Sequence, residues 1–133
     1  MLTQKIAITG SNGFIGSSLR QAFVQKGIEV VGLCRNPQLE NDIEFDLTDI
    51  ATFNNIPDDV DTVIHTAYTT TAKDLKQAFQ ANVTGSKALF DYCHARSMRI
   101  IFLSSCSAHP NAKSFYGKSK HQLEGYLNDN DND

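Results

Sequence analysis

The sequence predicts a doubly wound α/β domain with a five-stranded parallel sheet in the order 3-2-1-4-5. Three observations carry that prediction. Short apolar runs alternate along the chain with stretches whose apolar residues recur at helical spacing. The short runs are apolar throughout instead of alternating with polar residues, as in strands covered on both faces. The first run passes through a glycine-bearing turn straight into a helix-like stretch, and right-handed crossovers then wind the sheet in both directions from that point.

Each element has its own justification. Ile6–Thr9 is apolar and followed by glycine, a buried strand. Phe14–Lys26 places Phe14, Ile15, Leu19, Ala22 and Phe23 at helical spacing, and Gly27 stops it. Glu29–Arg35 is a second strand, ended by Asn36-Pro37, and Ile43–Asp46 a short third. Thr48 is placed to cap a brief helix ending near Pro57. Val60–Thr66 is the fourth strand. Lys73–Arg96 is a long helix with Leu75, Phe79, Val83, Leu89, Phe90 and Cys93 on its apolar stripe, interrupted by Gly85. Arg99–Ser104 is the fifth strand. Ser114–Leu127 is a last helix, with Tyr116, Lys120, Leu123 and Leu127 along one side. Asn128–Asp133 is wholly polar and reads as a frayed tail.

Bulk properties bound the function. The 133 residues make one domain, over residues 1–127, with 128–133 as its tail. The net charge of −3 and the absence of a basic block give no support for a nucleic-acid or anionic-membrane partner. No apolar run approaches the ~18 residues of a membrane span. Cys34, Cys93 and Cys106 are odd in number and widely spaced, against a disulfide framework and for a reducing, cytoplasmic setting. His65, His94, His109 and His121 have no metal-ligand spacing, so no metal site is expected.

The turn Thr9-Gly10-Ser11-Asn12-Gly13-Phe14-Ile15-Gly16 is where ligand chemistry is expected. A helix N-terminus after a strand offers unpaired N–H groups and the positive end of a dipole. Glycine serves where the backbone turns tightly or where a phosphate comes close. Its glycines are three apart, G-x-x-G-x-x-G, which differs from the G-x-G-x-x-G dinucleotide fingerprint. Gly117-Lys118-Ser119 imitates the end of a nucleotide-hydrolase phosphate loop. Ala112 stands where that motif needs its first glycine, and no strand directly precedes it.

The turn resembles that of the short-chain dehydrogenase/reductase superfamily, and its Gly-Phe-Ile-Gly ending resembles the extended branch of NAD(P)-dependent epimerases and dehydratases. Further matches follow in order. Phe45-Asp46-Leu47 resembles the family's acidic residue after the third strand. Val63-Ile64-His65-Thr66-Ala67 resembles its V-I-H-x-A stretch, and Asn82-Val83-Thr84-Gly85 its N-V-x-G element. Tyr116-Gly117-Lys118-Ser119-Lys120 matches Y-x-x-x-K. The resemblance implies a Rossmann-type domain that binds a nicotinamide dinucleotide and acts on a small molecule, largely nucleotide sugars in that branch. It implies cofactor contacts from Gly10, Asn12, Gly13, Phe14, Ile15, Gly16, Arg35, Asp46, Leu47, Thr66, Ala67, Tyr116 and Lys120. A flavin is disfavoured by the glycine spacing and by the tyrosine–lysine pair.

The second strand ends in Leu33-Cys34-Arg35. An acidic residue there would hydrogen-bond a ribose 2′-hydroxyl, whereas Arg35 suits a 2′-phosphate, so NADP is expected ahead of NAD. Tyr116 and Lys120 are four apart on a predicted helix and share a face. Alone, the pair reads as a half-buried tyrosine beside a snorkelling lysine. With the resemblance it reads as an acid/base tyrosine tuned by an ammonium. The third catalytic partner is sought among Ser104, Ser105 and Ser107, and family placement favours Ser105. Asn82 is expected to brace the site, and His65 to be a packed neutral histidine.

Two departures from the family stand out. Ser105 and Tyr116 are only eleven residues apart, where extended members carry a longer loop. Extended members also continue well past the catalytic helix into a substrate-binding region. The expectation is therefore a cofactor-binding portion truncated before that region, with an exposed apolar edge beyond the fifth strand. Marginal stability, or a homo-oligomer that covers the edge, would follow. The alternative function is a truncated, non-catalytic NAD(P)-binding or regulatory module.

Overall fold

The computed structural model describes residues 4–68 and 74–130. Five parallel strands form one sheet: β1 (Lys5–Thr9), β2 (Glu29–Cys34), β3 (Asp42–Glu44), β4 (Thr62–His65) and β5 (Arg99–Phe102), in the order β3-β2-β1-β4-β5. The helices are α1 (Phe14–Gln25), α2 (Leu75–Ala95) and α3 (Phe115–Asn130), with a 3₁₀ helix over Ile50–Asn55. The doubly wound Rossmann-type fold read from the sequence is the observed one.

The two-residue period of β1 feeds two cores. Ala7 faces the cluster of Val31, Leu33, Phe45, Phe53, Val63 and Leu89, covered by α2 and the 3₁₀ helix. Ile6 and Ile8 face the other way, with Val30 and Ile64, under Leu19 and Phe23 of α1. A third cluster joins α2 to α3 through Val83, Phe90 and Leu123. Every residue of β1 after Lys5 is buried, which is why these strands show no polar alternation.

Boundaries move where local chemistry overrides pattern. Asp49, not Thr48, caps the 3₁₀ helix, accepting from the Ala51 amide, while Thr48 Oγ1 donates to Asp46. Asp74 caps α2 by accepting from the Lys76 amide. Lys73, the expected start of that helix, and the side chain of Leu75 lie outside the described residues. Gly85 does not interrupt α2; a Cβ there would collide with the Leu47 carbonyl, so the glycine admits close backbone approach. The β3 strand is Asp42–Glu44 instead of Ile43–Asp46, because the Asp46 backbone turns to bond Thr52 Oγ1. β5 stops at Phe102, two residues before the expected end at Ser104. α3 continues to Asn130, three residues past its expected end at Leu127, and residues 131–133 of the expected tail lie outside the described residues.

Two devices hold the β2 end of the sheet. Gly27 (φ 77°) ends α1 in the left-handed conformation. Gly32, within β2, leaves space for an ion pair between Arg20 of α1 and Asp42 of β3; a Cβ at Gly32 would strike both side chains. Asp42 also accepts from the amides of Gln38 and Leu39, each at 2.8 Å, and so ties down the segment joining β2 to β3. β5 lies at the edge of the sheet, with Ile101 48% exposed. No helix among the described residues is long and apolar enough to cross a membrane.

Candidate functional site

A groove of about 570 Å³ opens at the carboxyl ends of β1, β2 and β4. That is the end of the sheet where ligands of doubly wound folds bind, and the volume is that of a small-molecule site. Its floor is the glycine turn. Gly10 adopts φ 66°, and a Cβ there would press on Ala67 and Thr66. A Cβ on Gly16 would run into the Gly10 carbonyl. Gly13 begins α1 in an extended conformation, and no side chain caps the helix, so its first amides keep no side-chain acceptor. Ser11 Oγ is buried at the same turn but off the groove lining, facing Gly32 and Cys34 of β2. Uncapped amides and glycines that clear the approach together suit a phosphate-bearing ligand.

One wall comes from the β2 end and the segment after β3. Arg35 is exposed, with no ion-pair partner among the described residues. The Asn36 carbonyl accepts from Asn12 Nδ2 at 3.3 Å, linking that wall to the turn. Burial pushes the Cys34 thiol above its ordinary value. Asp46 is committed locally: Oδ1 accepts from the Thr48 amide at 2.9 Å and from its hydroxyl at 2.7 Å. Leu47 sits beside Asp46 on Gly85 of α2.

The opposite wall is Thr66, Ala67 and Tyr68, held by a buried network around Thr9. Thr9 Oγ1 accepts from the amides of Thr66 (3.0 Å) and Ala67 (3.1 Å). Both its lone pairs are then used, so its proton goes to His65 Nδ1 at 2.7 Å. Nδ1 is therefore the acceptor, and Nε2–H donates to Ser86 Oγ at 2.8 Å. The histidine is neutral, as expected; burial first, and the Lys120 charge second, push it down to about 3. Asn82 is also buried on the groove and donates from Nδ2 to the Ala78 carbonyl at 2.8 Å.

The structure brings together Gly10, Asn12, Gly13, Phe14, Ile15 and Gly16 with Arg35, Asp46, Leu47, Thr66 and Ala67 on this one groove. Tyr116 and Lys120 are not on its lining; they stand behind Tyr68. Tyr116 is 40% exposed, and its ring meets Tyr68 edge-on at 5.0 Å between centroids. Lys120 is buried, donates from Nζ to the Leu103 carbonyl at 2.8 Å, and lies 5.5 Å from the Tyr116 ring centroid. Burial pushes its ammonium down to about 8. Ser105 Oγ accepts from the Ser107 amide at 3.1 Å, a local turn bond, and Ser104 Oγ donates to Glu124. Gly117 is needed because the Ser107 carbonyl packs onto α3 where its Cβ would be.

Sequence reasoning missed Thr9 and Tyr68. Thr9 belongs to the quoted turn but was hidden behind its glycines. Tyr68 follows the V-I-H-x-A stretch, and an aromatic immediately after that match was its available signal.

The fold and groove define a dinucleotide-binding type of α/β domain, and comparison specifies it. Residues 6–130 match the NAD dependent epimerase/dehydratase family, and the chain belongs to that family. Among solved structures, a short-chain dehydrogenase/reductase superfamily protein from Agrobacterium tumefaciens with bound NAD is 25% identical, with a TM-score of 0.81, over 93% of this chain and 44% of that one. UDP-N-acetylglucosamine 4-epimerase from Bacillus cereus is 24% identical, with a TM-score of 0.80, over 95% of this chain and 50% of that one. UDP-glucose 4-epimerase from Bifidobacterium longum, in complex with NAD+ and UDP, is 19% identical, with a TM-score of 0.79, over 95% and 48%. The last two likenesses show the fold alone. The chain spans about half the length of the solved structures it matches.

Proposed function

We propose that the groove binds a nicotinamide dinucleotide and that the chain is the cofactor-binding portion of an epimerase/dehydratase-type oxidoreductase acting on a nucleotide sugar. The observation that carries this reading is the convergence on one groove of the residues that the resemblance assigns to the dinucleotide, Tyr116 and Lys120 excepted. The uncapped α1 amides would hold the pyrophosphate. Arg35 and the Asp46-Leu47 segment would take the adenosine end, and Thr66 and Ala67 the other. A bound dinucleotide supplies the hydride donor or acceptor. Tyr116 would move the proton at a substrate hydroxyl, Lys120 would favour its phenolate, and Ser105 would anchor the substrate oxygen.

Arg35 favours a 2′-phosphate and so NADP, but the similar structures from Agrobacterium tumefaciens and Bifidobacterium longum carry NAD and give that preference no support. A second reading is a binding module without turnover. It is favoured by Lys120 Nζ being engaged with the Leu103 carbonyl and by Ser105 being engaged in its own turn.

Parallel fluorescence titrations with NADH and NADPH test the binding, and assay with UDP-glucose and UDP-N-acetylglucosamine tests the chemistry. Tyr116→Phe is expected to lower turnover by a factor on the order of 10² or more with dinucleotide affinity within twofold. Binding without turnover of either sugar selects the second reading, and failure to bind either dinucleotide overturns both.

A further inference from the structure

We propose that Tyr68 is a positioning residue for Tyr116 and Lys120: its ring is the partition between the groove and this pair, set edge-on against Tyr116 and closing Lys120 off from groove water. The inference rests on the reading of Tyr116 as the acid/base group.

Four observations converge on Tyr68. It lines the groove, whereas Tyr116 and Lys120 do not. Its ring packs edge-on against Tyr116, with centroids 5.0 Å apart and planes at 76°. Lys120 Nζ lies 5.6 Å from the Tyr68 ring centroid, 5.5 Å from that of Tyr116 and 4.7 Å from that of Phe102. The segment that carries Tyr68 is anchored immediately upstream, where the Thr66 and Ala67 amides donate to Thr9 Oγ1. The ammonium thus has one carbonyl and three aromatic rings around it, and no carboxylate pairs with it among the described residues. Rings attract a cation through their quadrupole but replace water incompletely. Lys120 therefore holds its proton less tightly than an exposed lysine does. That matters for an acid/base tyrosine, because the charge on Lys120 is what favours the phenolate.

The other groups facing Lys120 are accounted for. On β4, His65 is neutral and occupied by Thr9 and Ser86. On α3, Glu124 is engaged by Ser104 Oγ. β5 and the residue after it supply only the Phe102 ring and the Leu103 carbonyl. Among the described groups around the ammonium, Tyr68 is the one that lies on the groove.

The test is a pH titration of the Lys120 side chain by NMR of ¹³Cε-labelled lysine, on the chain alone, with Lys120→Arg used to assign the resonance. Wild type is expected to titrate near 8. Tyr68→Phe keeps the ring and should stay there. Tyr68→Ala admits groove water and should move the midpoint up by about one unit or more. A Tyr68→Ala midpoint equal to that of wild type overturns the proposal. Should Tyr68→Ala not fold by circular dichroism, the unmodified protein decides: nuclear Overhauser contacts from the Tyr68 ring to the Tyr116 ring and the Lys120 ε-methylene support it, and their absence overturns it. No dinucleotide or substrate enters these measurements. A failure here is therefore separate from a failure of the acid/base reading, which shows as unchanged turnover in Tyr116→Phe.

Discussion

Replacing Arg20 with leucine tests how the groove's β2 wall is built. Arg20 reaches from α1 across Gly32 to Asp42, whose side chain is fully buried, while that of Arg20 is 11% exposed. Burial alone would push the Asp42 carboxyl up; the Arg20 guanidinium and the amides of Gln38 and Leu39 outweigh it and hold the carboxyl below its ordinary value. In Arg20→Leu the carboxylate keeps two amide donors and loses its countercharge. Breaking one side of a buried pair costs about 3–5 kcal/mol, a large share of the roughly 5–15 kcal/mol that holds a domain together. With a urea slope of about 1–3 kcal/mol/M, the midpoint should fall by roughly 2 M.

The pH dependence supplies the sharper test. In wild type the folded carboxyl lies below its unfolded value. Its stabilising contribution is full above the unfolded value of ~3.9 and is lost as pH falls through the folded one. In Arg20→Leu burial is no longer outweighed by a countercharge and the folded carboxyl should rise. Lowering the pH from 8 to 5 then protonates the buried group and should narrow the gap between variant and wild type. Urea unfolding followed by circular dichroism at both pH values measures this. A midpoint shift below roughly 0.5 M, or a gap that widens as pH falls, would falsify the argument that Asp42 depends on Arg20.

Two further outcomes follow from the same kind of reasoning. Gly85→Ala places a methyl group where the Leu47 carbonyl sits; overpacking of about 1–3 kcal/mol should push the Asp46–Thr48 wall outward and weaken NADH or NADPH binding about tenfold in a fluorescence titration, whereas Gly125→Ala, whose Cβ would meet nothing, serves as the control. His65 is held neutral with a folded value of about 3 against the ordinary histidine value of 6.5, so between these limits the unfolded chain binds more protons and stability is lost as pH falls. The slope should reach about 1.4 kcal/mol per pH unit, and His65→Gln should remove most of that slope between pH 4 and 6 in urea unfolding; an unchanged slope would count against a neutral His65.

The fold was legible because its information is redundant. Both cores follow from the apolar strands, and Ile6, Ala7 and Ile8 could not all be buried unless both faces of the sheet were covered. Strand ends were less legible because single hydrogen bonds set them: Thr52 Oγ1 turns the chain at Asp46, and Asp49 displaces Thr48 as the cap. The glycine turn was legible as a motif, but the role of Thr9 was not, since the sharing of one hydroxyl among three donors and acceptors is a property of folded geometry. Gly85 looked like a helix interruption because a one-dimensional pattern carries the cost of glycine in a helix, and not the backbone of Leu47 lying against it.

The groove and the tyrosine–lysine pair differ in how they are held, and that difference bears on function. The groove is fixed by backbone: glycines that exclude a Cβ, amides without a cap, and a threonine hydroxyl saturated by Thr66, Ala67 and His65. Such a surface is preorganised before a ligand arrives, so binding loses little to ordering. Tyr116 and Lys120 are instead held by ring contacts and one bond to the Leu103 carbonyl, just past β5 at the sheet's edge. Whatever packs on β5 therefore acts on the carbonyl that anchors Lys120. In the proposed reading the cofactor half of the site is rigid on its own, while the acid/base half takes its geometry from Tyr68 on one side and the β5 end on the other.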